Sequence, residues 1–165
     1  MIDDGTPERE VGECFRWCIM FCPTNQNLTI STARLRSARE GTDYSYQVVA
    51  EIVHVSEGSS LIDFGLRAVG HTDWLPTGCK QGDYVTGDVL LSFPLCFDPL
   101  PEDVIASMDY DWVIKHIMAD LTPYRPFEEN SRLFVRDDQR VAYEEVKSTR
   151  DRTADSYILQ CVLRD

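Results

Sequence analysis

A mainly β fold with one helical insert, of the α+β class, is what this sequence predicts, and three stretches predict it. Tyr84–Phe93 alternates, with Val85, Gly87, Val89, Leu91 and Phe93 on one side of an extended chain and Tyr84, Thr86, Asp88 and Ser92 on the other. Tyr44–Val55 alternates over a longer run, with Tyr44, Tyr46, Val48, Ala50 and Ile52 sharing a face. Near residues 99–121 the period changes: Val104, Ile105, Met108, Trp112, Val113, Ile117 and Leu121 recur at helical spacing behind a capping carboxylate, Asp98, and first-turn prolines.

The remaining elements follow in order. Residues 1–13 are polar and read as a flexible N-terminus, with a single β-rich domain over 14–165. Cys14–Phe21 alternates and reads as a strand, and Pro23–Asn27 is turn chemistry. Leu28–Leu35 is a weaker strand candidate, and Ser37–Asp43 reads as a loop. After Tyr44–Val55, a Gly-Ser connection leads to Leu61–Val69, which pairs back on it. A longer loop, Gly70–Gln81, precedes Tyr84–Phe93, so that three successive strands form an antiparallel meander. Gly87 marks a bend or bulge. Leu133–Val135, Val141–Val146 and Tyr157–Leu163 are closing strands, the last apolar on both faces and therefore central.

Three meander strands, a helical insert and two or three further strands are similar in layout to five-stranded Greek-key barrels of the OB type. The resemblance is one of architecture and carries no family motif. A β-sandwich with extra N-terminal strands and an open α+β sheet are the other arrangements this order permits.

The chain has 165 residues, 16 of them basic and 28 acidic, for a net charge of −12. A charge of that sign repels phosphate backbones and anionic membrane surfaces and steers cationic partners inward. No segment reaches the ~20 apolar residues of a membrane span. The start of the chain lacks the positive region of a secretory signal, so the expected location is the cytoplasm.

No phosphate-binding glycine loop, nucleophile elbow or paired-histidine zinc motif is present. Cys14, Cys18 and Cys22 are spaced four apart. On a strand each successive pair stands roughly 13 Å apart, too far to share an ion, whereas a helix would bring them together. They are read as small hydrophobes, with no metal and no cofactor expected. His71 and Asp73, beside Trp74, could orient each other as in a hydrolase, but neither a nucleophile nor an oxyanion site accompanies them.

The sequence therefore points to a non-enzymatic binding module, an acidic inhibitor or immunity-type protein that holds a basic protein partner. Asp73, Asp83 and Asp88 are its steering charges, and Trp74 and Tyr84 its anchors. The alternatives are an OB-like protein binding single-stranded nucleic acid and a small hydrolase using His71 and Asp73. The first is opposed by the scarcity of cations in residues 44–97, where Arg67 and Lys80 stand alone.

Overall fold

The structure, a computed structural model, describes residues 8–24, 27–42, 44–93, 107–127, 130–137, 139–151, 154 and 156–164. Thirteen strands carry the regular structure of these residues: β1 (Cys14–Trp17), β2 (Ile19–Pro23), β3 (Thr29–Ile30), β4 (Ser37–Glu40), β5 (Ser45–Val55), β6 (Ser59–Asp63), β7 (Arg67–His71), β8 (Tyr84–Ser92), β9 (Tyr110–Asp120), β10 (Tyr124–Phe127), β11 (Asn130–Arg136), β12 (Tyr143–Val146) and β13 (Ser156–Leu163). A 3-10 turn spans Thr72–Trp74. The chain divides into two compact units, Arg16–Tyr110 and Met1–Phe15 with Asp111–Asp165.

In the first unit β5 pairs with β6, β6 with β7, β7 with β2, β2 with β8, and β8 returns to β5, closing a five-stranded barrel. The β2–β7 contact is parallel and the others are antiparallel. Closure removes the open edges that would otherwise template pairing with another chain. Two short strands, β3 on β8 and β4 on β5, extend the wall.

The alternating residues fill the interior: Phe21, Val48, Ala50, Ile52, Ile62, Ala68, Val85 and Val89 are fully or almost fully buried. Gly70 admits the Phe21 ring, whose nearest atoms lie 2.4 Å from where a Cβ would stand. Gly87 does the same for Leu28, at 2.8 Å. The β5–β8 register runs unbroken through Gly87, so this glycine serves close packing and not the expected bend. On the outer wall, Cys18, Leu61 and Val69 pack with Met20 and Val53 beneath Met108.

The meander holds for β5, β6 and β7 only. Gly65, at φ 114°, turns the stretch Leu61–Val69 back on itself, so it forms parts of two strands and not one. β8 then crosses to β5 and β2 instead of pairing with its predecessor. Ser37–Glu40, expected as loop, is a strand whose residues are mostly exposed, which leaves no alternation to read.

The helical insert is not present where it can be seen. Residues 94–106, including Asp98 and the start of the expected helix, lie outside the described residues. Tyr110–Asp120 is an eleven-residue strand, β9. Its register with β13 passes from Gln160–His116 to Cys161–Ile114, leaving Lys115 as an extra, bulged residue. Trp112 and Ile114 are buried ahead of the bulge, Ile117 and Ala119 after it. The extra residue stretches one interval from two to three, and the pattern imitates a helix.

In the second unit β9 pairs with β1, β12 and β13. The expected closing strands exist, but they build this sheet and a separate β10–β11 ribbon instead of closing the barrel. β13 is not a central strand: its only described partner is β9, and Val162 and Leu163 are exposed. Residues 9–13 are held by hydrogen bonds, among them Gly12 N–H to the Ile114 carbonyl and Val11 N–H to that of Lys147. Among the described residues no helix is long and apolar enough to cross a membrane.

Candidate functional site on the barrel wall

Strand pairing sets four polar residues in one row. Glu51 on β5 lies opposite Tyr84 on β8 and opposite Asp63 on β6, and Asp63 lies opposite Arg67 on β7. Opposed residues of antiparallel strands project from the same face. Since Ala50, Ile52, Ile62, Ala68 and Val85 point inward, the row crosses the outer wall. Arg36, from the segment between β3 and β4, reaches over it. Its guanidinium donates to Asp63 Oδ2 at 2.7 Å, and its Nε stands 4.0 Å from Glu51 Oε2. Arg67 Nε approaches the same Asp63 oxygen at 3.7 Å.

Asp63 is the fixed centre of this cluster. Its side chain is 10% exposed, and its other oxygen accepts the Gly65 N–H at 2.9 Å. The Tyr84 hydroxyl donates to Glu51 at 3.2 Å, and the Tyr110 hydroxyl accepts the Arg67 N–H at 2.6 Å. A carboxylate this enclosed persists because several donors compensate its lost hydration. Beside the row an open hollow of about 490 Å³ is lined by Arg36, Glu51, Asp63, Arg67, Gln81 and Gly82, with Ile52 and Val53. Val53 is a bulge residue, since the β5–β6 register shifts between Ile52 and His54 there. Bulges commonly re-aim side chains next to sites.

The five residues marked in the sequence fall in two places. Tyr84 stands in the row, and Asp83 precedes it, its carboxylate accepting the Lys80 N–H at 2.9 Å to hold the turn into β8. Asp73, Trp74 and Asp88 lie about the β2–β3 connection. The Asp88 carbonyl accepts from Thr24, that of Asp73 from the Asn27 side chain, and that of Trp74 from Leu28. The Asp73 carboxylate is 87% exposed. Trp74 packs edge-on against the core residue Phe21, with ring centroids 5.8 Å apart, and Leu75 beside it is buried. Trp74 therefore helps stopper the barrel.

His71 caps the 3-10 turn: its Nδ1 accepts the Asp73 N–H at 3.2 Å. The same nitrogen stands 3.3 Å from Asp73 Oδ2, with the Asp73 side chain largely exposed. The described cysteines differ in exposure. Cys14 is exposed, Cys18 buried and Cys22 half-buried. Burial pushes the Cys18 thiol up, with Asp109 adding to the effect, and pushes Cys161 up to about 11. Such thiols stay protonated at neutral pH and are poor nucleophiles. Among the described residues no three His, Cys, Asp or Glu side chains are grouped to hold a metal ion.

Sequence reasoning missed Arg36, Glu51, Asp63 and Arg67. One signal for them was available: Asp63 interrupts the apolar run Leu61–Phe64, where an unpaired charge would be costly. Comparison with family models, with curated proteins and with solved structures finds no match for this chain.

Proposed function

We propose that the barrel unit is a non-enzymatic binding module for a basic protein partner, an inhibitor or immunity-type protein acting in the cytosol. The observation that carries this reading is the polar row beside its open hollow: two carboxylates, Glu51 and Asp63, line it together with Arg36 and Arg67. The net charge of −12 draws such a partner in, and exposed carboxylates such as Asp73 and Asp88 add to the field. Tyr84, half-buried beside Glu51, supplies contact area. The test is titration with poly-L-lysine, followed by fluorescence anisotropy at low and at physiological ionic strength. Binding that weakens with salt and is reduced by Glu51→Gln supports the reading. No binding at low salt overturns it.

A second reading has one observation in its favour. The ring order of the barrel, with one parallel contact, is similar to that of an OB-type barrel whose chain starts at a different strand. Arg36 and Arg67 both face Asp63, however, so the two cations of the row are partly neutralised for a phosphate backbone. A thymidine oligonucleotide binding more tightly than poly-L-lysine at low salt would reverse the order of the two readings.

A further inference from the structure

The geometry points to the hollow as a receptor for an arginine side chain of the partner, with Arg36 as an internal occupant that the partner's guanidinium displaces. This rests on the cationic-partner reading above and adds which group is recognised and what it must replace.

The members of the cluster differ in how firmly they are held. Asp63 is on a strand, almost enclosed, and tied through its second oxygen to Gly65. Glu51 is on a strand between two partners and accepts from Tyr84. Arg67 is on a strand, and its guanidinium stands 3.7 Å from Asp63, beyond a good hydrogen bond. Arg36 is the exception. Its backbone belongs to no strand, its side chain is 48% exposed, and its grip on Glu51 is loose at 4.0 Å. Among the described residues, the close side-chain donor to Asp63 Oδ2 is thus the least anchored group in the site.

Replacing one guanidinium by another leaves the electrostatics of Asp63 almost unchanged, so the exchange costs little at the carboxylate itself. Contacts elsewhere on the partner then decide the outcome. Arginine suits the site better than lysine, because a planar fork can engage two carboxylates together where a point charge engages them singly.

The test compares a hexa-arginine peptide with hexa-lysine by calorimetry at low ionic strength. The proteins are the full chain and its variants Arg36→Gln, Arg39→Gln, Glu51→Gln and Asp63→Asn, each checked for an unchanged fold by two-dimensional NMR. Arg36→Gln is expected to bind hexa-arginine about tenfold more tightly, as one freed charge pair allows. Arg39→Gln removes the same charge from exposed β4 without vacating the site, and is expected to tighten binding less than about twofold. Glu51→Gln and Asp63→Asn are expected to weaken it, and if Asp63→Asn fails to fold, Glu51→Gln decides. If hexa-arginine binds neither the parent nor any variant, the cationic-partner reading falls and this inference with it. If the parent binds but Arg36→Gln tightens no more than Arg39→Gln, or hexa-lysine binds as well as hexa-arginine, the displacement inference alone is overturned.

Discussion

Gly70 and Gly87 are both glycine for reasons of space, yet their substitutions should differ in cost. A Cβ at Gly70 would stand 2.4 Å from two atoms of the Phe21 ring, and that ring is fully buried. Nothing there can yield without moving the core, so Gly70→Ala should cost about 3 kcal/mol. A Cβ at Gly87 would meet only Cδ2 of Leu28 so closely, the end of a flexible side chain. Gly87→Ala should cost roughly 1 kcal/mol. Urea unfolding of the two variants checks the order, and an equal or reversed cost would remove Phe21 as the reason for Gly70. Asp120 makes a separate residue-scale case. Burial raises its pKa, but the Thr122 hydroxyl and N–H and the Arg136 guanidinium outweigh that and hold the carboxyl below its ordinary value of 3.8. The unfolded chain then binds the proton more readily, so this carboxylate's stabilisation is complete above the ordinary value and is lost as pH falls through the lower folded one. Asp120→Asn should flatten the acid limb of the stability curve in that range, measured by thermal melts from pH 5 downward.

Whole strands were readable where one face is buried without interruption. Ser45–Val55 and Tyr84–Ser92 alternate because their inward residues meet the barrel core, and both emerge close to their expected bounds. Thr29–Ile30 and Ser37–Glu40 are mostly exposed edge segments, and no buried face marks them. β9 failed for a different reason: its alternation is intact on each side of Lys115 but out of phase across it. That bulge can be tested as a structural device. Deleting Lys115 shortens the interval between Ile114 and Ile117 from three residues to two, so Trp112, Ile114, Ile117 and Ala119 share a face without a bulge and the register with β13 runs unbroken. The expected outcome is hydrogen-exchange protection retained along β9 and β13, whereas deleting Met118, inside the regular part of the strand, puts Ala119 on the face opposite Ile117 and should lower it. Protection lost on deleting Lys115 would mean that the bulge is itself needed to hold β9 against β13.

At the scale of the molecule, what local pattern could not show is which strands meet. Glu51 and Asp63 are close in sequence, but Arg36, Arg67 and Tyr84 join them only because β8 crosses back to β5 and the segment before β4 passes over the row. Asp83 and Tyr84 are legible as a steering charge and an anchor at the start of a readable strand, and their partners are not, since pairing between distant strands leaves no local periodicity. The same topology makes a prediction about autonomy. The barrel closes entirely within Arg16–Tyr110, and its first and last barrel strands are neighbours, with Met20 opposite Ser92. A closed ring leaves no barrel strand dependent on the other unit for its hydrogen bonds, and the residues lining the hollow all belong to it. Residues 16–110 expressed alone should therefore melt cooperatively, with dispersed amide resonances and β-type circular dichroism. They should also bind poly-L-lysine with the salt dependence of the full chain, reduced in amplitude because part of the −12 charge is gone. A fragment that folds but does not bind would relocate the partner surface to the second unit, and a fragment that fails to fold would show that ring closure alone does not stabilise the barrel.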